Sequence, residues 1–159
     1  MIAHLRIDER LAHGQVCVKW VASVKAATLI VLDDGTAHDP FLKKITMGVA
    51  PRGVKLEVLA TEDIPSIVER YNGAGPNAMI VTKVPGNVLK LVEAGATDIK
   101  TVTVGNMGGN ANRKKITNHV WISDEEAAEF RKLMELGVKL ETRQVPNDNP
   151  TDFGKLIGG

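Results

Sequence analysis

One segment near the start of the chain gathers residues that together can do chemistry. It reads Arg6-Ile7-Asp8-Glu9-Arg10-Leu11-Ala12-His13-Gly14-Gln15-Val16. An imidazole with an ordinary pKa of about 6.5 is substantially neutral near pH 7, and so can accept and release a phosphoryl group as a nucleophile. A phosphoryl group in transit spreads negative charge over three oxygens, so its transfer depends on well-placed cations and N–H donors. Arg10 and Arg6 supply forked donors of that kind. Gly14 and Gln15 open a helix-compatible run. The free N–H groups of a first helical turn point at an anion, and a glycine there lets the backbone approach without a Cβ. Asp8 is spaced to orient an arginine through a charge-assisted bond. The segment thus reads as a candidate phosphoryl site, with His13, Arg10 and Arg6 as its catalytic group. Gly14, Gln15 and Asp8 bind and orient the phosphate. Residue chemistry alone leaves a plain alternative open, in which His13 closes a turn and both arginines are solvated.

Positioning such a loop is the task of the elements around it. Short runs rich in valine and isoleucine recur at Ile2–Ile7, Thr28–Asp33, Val54–Leu59, Ala78–Thr82, Thr101–Val104, His119–Ile122 and Val138–Thr142. Each has strand length, and most end in glycine, proline or polar clusters. Helical patterns lie between them. Thr61 is placed to cap a helix with Ile64, Ile67, Val68 and Tyr71 on one face, and Asp39-Pro40 reads as a cap followed by a first-turn proline. Ser123 and Glu126 form a capping box ahead of Ala127, Phe130, Leu133 and Met134, with Gly137 placed to end the helix. Val88, Leu89 and Val92, closed by Gly95, suggest one more. This alternation predicts an α/β fold spanning residues 1–159 as a single three-layer domain. A mainly parallel central sheet of about seven strands then carries helices on both faces. Ligands of such sheets sit beyond the carboxyl ends of the strands, which is where the His13 loop falls. Pro146 to Gly159 reads as a turn with a short helix or a frayed tail.

Composition narrows the function classes. The 159 residues are 43% hydrophobic and 25% charged, as in an ordinary folded protein. A net charge of +1 argues against nucleic acid as a partner. The lone cysteine, Cys17, cannot form an internal disulfide, and no leader or spanning run is visible, so a cytoplasmic location is expected. No histidine pair has metal-ligand spacing, and no phosphate-loop or dinucleotide signature occurs, so neither a metal nor another cofactor is expected.

The motif R-I-D-E-R-L-A-H-G-Q-V resembles the active loop of the IIB components of the mannose/fructose/sorbose family of the bacterial phosphoenolpyruvate-dependent sugar phosphotransferase system. The resemblance runs from Leu5 through G-N-M-G-G to the ending G-V-K-L-E-T-R-Q-V-P. It implies that His13 carries the phosphoryl group, with Arg6 and Arg10 as phosphate ligands. It further implies transfer from a IIA phosphohistidine to a sugar held by membrane IIC and IID components, with IIB peripheral to them. Glu9 stands where the family often has Asp, and Ala12 where a larger aliphatic residue is frequent. Neither change removes a group that the transfer needs.

Other residues carry weaker readings. Gly105-Asn-Met-Gly-Gly-Asn110 offers N–H groups to phosphate or a partner, or is a loop whose glycines take positive φ. Asp33 and Asp34 position Arg10, touch a partner, or form a turn. His4, His38 and His119 are read as structural, and Cys17 as a small apolar helix residue. Arg113-Lys114-Lys115 is a solvated loop or a steering patch for an acidic partner. Two other functions compete with the phosphocarrier. A flavodoxin-like module would bind an anion in the same loop without catalysis. A histidine phosphatase would need an arginine where Ala12 stands and a second histidine that only His119 offers.

Overall fold

The computed structural model describes Met1 to Gly158. Among the described residues nine strands form in chain order. These are β1 (Ile2–Asp8), β2 (Thr28–Leu32), β3 (Lys55–Leu59), β4 (Ala78–Thr82), β5 (Thr101–Asn106), β6 (Lys114–Lys115), β7 (Trp121–Ile122), β8 (Lys139–Thr142) and β9 (Thr151–Asp152). The helices are α1 (Gln15–Ser23), α2 (Asp34–Ala37), α3 (Pro40–Met47), α4 (Ile64–Tyr71), α5 (Pro85–Glu93), α6 (Asp124–Glu135) and α7 (Phe153–Leu156). Seven strands make the central sheet in the order β3-β2-β4-β1-β5-β8-β9, and all of its pairs are parallel except β8 with β9.

Both faces of the sheet are packed, as the continuous apolar strands require. Leu29, Val31, Val58, Met79 and Val81 meet Cys17, Trp20 and Val21 of α1, whose i, i+3, i+4 spacing makes one buried stripe. On the opposite face, Leu5, Ile7, Ile30, Leu32, Ile80, Val102 and Val104 meet Ile64 and Ile67 of α4, Val88 and Leu91 of α5, and Phe130 and Leu133 of α6. The chain therefore leaves β1 toward one face, whereas it leaves β4 and β5, its two neighbours in the sheet, toward the other. A crevice opens where connections diverge in this way, at the carboxyl end of β1.

Several boundaries differ from expectation. The run His119–Ile122 does not join the central sheet; only Trp121–Ile122 is strand, paired with Lys114–Lys115 in a separate two-stranded sheet. The seventh strand of the main sheet comes instead from the tail, where Thr151–Asp152 pairs antiparallel to β8 and Asp152 then caps α7. Thr61 does not cap α4. It opens a 3-10 turn, and its backbone N–H and hydroxyl donate to Asp34. The capping box at Ser123 and Glu126 forms as the sequence suggests, and Gly137 follows α6 at φ 88°.

Candidate functional site

β1 delivers its last residue, Asp8, to the carboxyl edge of the sheet with only 3% of its surface exposed. One carboxylate there serves both arginines of the motif. Arg10 donates from its backbone N–H and Nε to Oδ1 at 3.0 and 2.9 Å, and from Nη2 to Oδ2 at 2.7 Å. Arg6 donates from Nε to Oδ2 at 3.2 Å. Strand alternation explains the second contact, since residues i and i+2 share a face.

The two arginines occupy different environments. The Arg10 side chain is 42% exposed, and its bonds to Asp8 raise its pKa. Arg6 is 1% exposed, its guanidinium 5.3 Å above the Trp20 ring and its Nη1 donating to the Arg143 carbonyl at 2.8 Å. Burial lowers the Arg6 pKa, against the opposing pull of Asp8. The two arginines named for phosphate binding thus sit differently in the fold. Arg10 lies at the open edge, whereas Arg6 is packed behind Asp8 and turned away from solvent.

Between Asp8 and α1 the backbone turns tightly. Leu11 N–H donates to the Asp8 carbonyl and His13 N–H to the Arg10 carbonyl, each at 3.0 Å. Leu11 sits at φ 54°, a left-handed conformation that costs a side-chain-bearing residue roughly 1–2 kcal/mol. Its side chain and that of Ala12 are buried against the α1 core, which offsets that cost and fixes the turn. His13, Gly14 and Gln15 follow, all exposed.

Gly14 is the N-cap of α1 rather than its first residue. It has φ 89°, and no side chain bonds to the first turn. A Cβ at this glycine would meet nothing within 4 Å, so its φ, and not a close approach, calls for glycine here. The uncapped N–H groups of the first turn thus open beside His13, a ready environment for an anion.

The G-N-M-G-G segment borders this loop from β5. Glu9 N–H donates to the Asn106 carbonyl at 3.0 Å. Its glycines have no positive φ, contrary to the loop reading, and two of them serve close packing. A Cβ on Gly105 would lie 2.1 Å from Nη2 of Arg6, and one on Gly109 would lie 3.0 Å from the Trp121 ring. Arg113 is likewise not a free surface charge, being 12% exposed and bonded to Glu126, Glu9 and the Gly108 carbonyl. Lys114, at 81%, remains exposed.

The acids after β2 turn out to be turn-formers. Asp33 caps α2 through Thr36, and Asp34 accepts from Thr61, while Asp8 alone of these acids holds Arg10. His4 stacks on Trp20 with centroids 4.3 Å apart, and burial with nearby Arg6 and Arg143 drives its pKa down to about 3. His38 pairs with Glu62 on the surface. His119 is exposed in the turn before β7, with its carbonyl accepting from Met107. Cys17 is buried, and burial raises its thiol to about 11. Trp20 and Arg143, which enclose Arg6 together with Gly105, were not legible as parts of the site.

The sequence matches the model of the PTS system sorbose subfamily IIB component over residues 2–159. The chain belongs to this family. Among its relatives is the fructose-specific EIIB component of Bacillus subtilis, 34% identical over 152 residues, covering 96% of this chain and 93% of that protein. The mannose-specific EIIAB component of Escherichia coli K12 is also 34% identical, over 160 residues, and this chain spans 48% of its length. In three dimensions the chain is similar to the IIBSor domain of the sorbose permease from Klebsiella pneumoniae, with TM-score 0.93, 28% identity and coverage of 99% and 96% of the two chains. It is similar too to the N-acetylgalactosamine-specific IIB component 1 from Escherichia coli, with TM-score 0.84, 31% identity and coverage of 94% and 97%. These IIB structures share the mainly parallel α/β architecture described above.

Proposed function

We propose that this IIB chain is a phosphocarrier that relays a phosphoryl group through His13. The donor is a phosphohistidine on a IIA component, and the acceptor is a sugar hydroxyl presented by membrane IIC and IID components during uptake. In the first step the P–N bond of the donor breaks as a P–N bond to the His13 ring forms. In the second, that bond breaks as the sugar oxygen takes the phosphoryl group and its hydroxyl proton leaves to a base.

One observation carries the reading. His13 stands exposed between Arg10, which Asp8 holds at the open edge, and the uncapped start of α1. A protein-borne phosphohistidine can approach a residue placed like this. Within the site, Arg10 supplies mobile donors to the phosphoryl oxygens, and the first-turn N–H groups beside Gly14 and Gln15 supply fixed ones. Arg6 acts through Asp8 as a positioning residue and does not touch the phosphate. The EIIAB relative, about half of whose length this chain matches, supports IIA as the partner. The family's membrane IIC and IID partners support a place for the chain at their cytoplasmic side; no described helix is long and apolar enough to cross a membrane.

The test is transfer of labelled phosphate from phosphoenolpyruvate through the upstream carriers and IIA. Wild-type protein takes an acid-labile label, His13→Ala takes none, and Arg10→Ala takes it more slowly while keeping its fold. Label retained on His13→Ala sinks the assignment. A wild-type protein that binds phosphate but never becomes phosphorylated points instead to the anion-binding module.

A further inference from the structure

We infer that Arg113 is a positioning residue of the phosphoryl site, acting on the His13 loop through Glu9. The inference rests on the phosphocarrier reading and adds to it the part that holds the loop from its outer side.

Arg113 is anchored on a rigid element. Its Nε and Nη2 bond Oε1 and Oε2 of Glu126 at 2.9 and 2.8 Å, a forked pair with a fixed geometry. Glu126 is itself locked by the capping box, in which Ser123 N–H donates to Oε1 at 2.9 Å and Glu126 N–H donates to Ser123 Oγ at 3.1 Å. The remaining arm of the guanidinium, Nη1, donates to the Gly108 carbonyl at 2.8 Å and to Oε1 of Glu9. Burial opposes the charge on Arg113, but its bonds to Glu126 and Glu9 prevail and raise its pKa. The group therefore stays cationic throughout the working range.

Glu9 lies between Asp8, which holds Arg10, and Arg10 itself. The side chains at this point are thus tied twice, beside the backbone bond from Glu9 N–H to the Asn106 carbonyl. Asp8 is fixed from inside the sheet by Arg6, and Glu9 is fixed from outside by Arg113. Releasing the outer tie frees the Glu9 side chain and leaves its N–H bond to Asn106 as the remaining hold, so the loop loosens and Arg10, next in the chain, loses its fixed position. The two halves of the Arg113 fork have separate consequences. The Glu126 half holds β6 and the start of α6 together, whereas the Glu9 half holds the site.

That division gives the test. Wild type, Glu9→Gln, Glu9→Asp, Arg113→Gln and the double variant Glu9→Gln/Arg113→Gln are exposed to potassium phosphoramidate. Phosphoryl transfer from this small donor breaks its P–N bond, forms the bond to His13 and releases ammonia without a protein partner. Urea unfolding is followed in parallel. We expect Glu9→Gln to slow labelling about five-fold with little movement of the unfolding midpoint. Glu9→Asp, which keeps the carboxylate, should recover most of the rate. Arg113→Gln should slow labelling to a similar extent and also lower the midpoint, because Glu126 loses its partner. The double variant should label no more slowly than Arg113→Gln, since both changes cut one tie. Labelled wild type with an unchanged rate in Glu9→Gln, or multiplied losses in the double variant, overturns the inference alone. A wild-type protein that takes no label at His13 from phosphoramidate or from IIA overturns the phosphocarrier reading, and this inference with it.

Discussion

Gly105→Ala should be among the most damaging single-methyl additions to this protein. The added Cβ would lie 2.1 Å from Nη2, 2.3 Å from Cζ and 2.8 Å from Nε of Arg6. A long side chain often escapes such a clash by rotating, but Arg6 has nowhere to go. It is 1% exposed, wedged over Trp20, and bonded to Asp8 at 3.2 Å and to the Arg143 carbonyl at 2.8 Å. Clearing the methyl means breaking at least one of these bonds, each worth roughly 1.5–3 kcal/mol when a charge is involved. Overpacking by itself typically costs about 1–3 kcal/mol. A loss of about 2.5–6 kcal/mol follows, read from urea denaturation by far-ultraviolet circular dichroism. The cause is isolated by repeating the substitution in an Arg6→Ala background, where no guanidinium remains to be struck. There the same methyl should cost about 0.5 kcal/mol or less, giving a large coupling between the two sites. Gly108→Ala is the companion measurement. Its Cβ would lie 3.3 Å from Oε2 of Glu9, the oxygen that Arg113 does not hold, on a side chain 32% exposed, and it should cost well under about 1 kcal/mol. A Gly105→Ala protein as stable as wild type, or one equally damaged with and without Arg6, would refute the reasoning.

Other consequences are simpler to measure. Burial holds the His4 imidazole down to about 3, whereas the unfolded chain titrates near 6.5, so the unfolded state binds the extra proton between those values. This contribution to stability is complete above about pH 6.5 and is lost as pH falls toward 3, at up to about 1.4 kcal/mol per pH unit. His4→Phe keeps a ring against Trp20 and should flatten that part of the profile; parallel profiles for the two proteins would contradict it. The buried Cys17 thiol, pushed up to about 11, should resist a thiol-specific disulfide reagent at pH 8 until urea unfolds the chain. Arg10→Ala should cut phosphoryl acceptance by about ten-fold or more while changing stability by only about 1 kcal/mol, because its side chain is 42% exposed. Phe41→Ser on α3 removes a ring that is 69% exposed, and its unfolding midpoint should match wild type.

The parts of the fold that were legible in the sequence are those whose signals are local. The capping box at Ser123 and Glu126 can be read from four consecutive residues, and it formed. So did the strand runs of the parallel core, because continuous burial on two faces demands unbroken valine and isoleucine. Pairing decided the exceptions. Trp121 and Ile122 look like core strand, yet their partners are Lys114 and Lys115 in a separate hairpin, while the polar pair Thr151–Asp152 completes the main sheet on β8.

The candidate site divides in the same way. His13, Arg10 and the uncapped helix start lie within one turn of chain, so spacing alone brought them into view. Alternation along β1 also puts Arg6 and Asp8 on one face. Whether that face meets solvent or protein is settled by Trp20, Gly105 and Arg143, the last of them 137 residues from Arg6. Such a separation leaves no period or motif to read. The sequence pattern therefore presents two equivalent arginines where the fold makes one a buried brace and leaves the other at the surface. In the proposed relay that difference has a physical use. A carboxylate held from behind by a fixed cation can release a mobile one to an arriving phosphoryl group without being left unpaired, which would cost far more than the exchange itself.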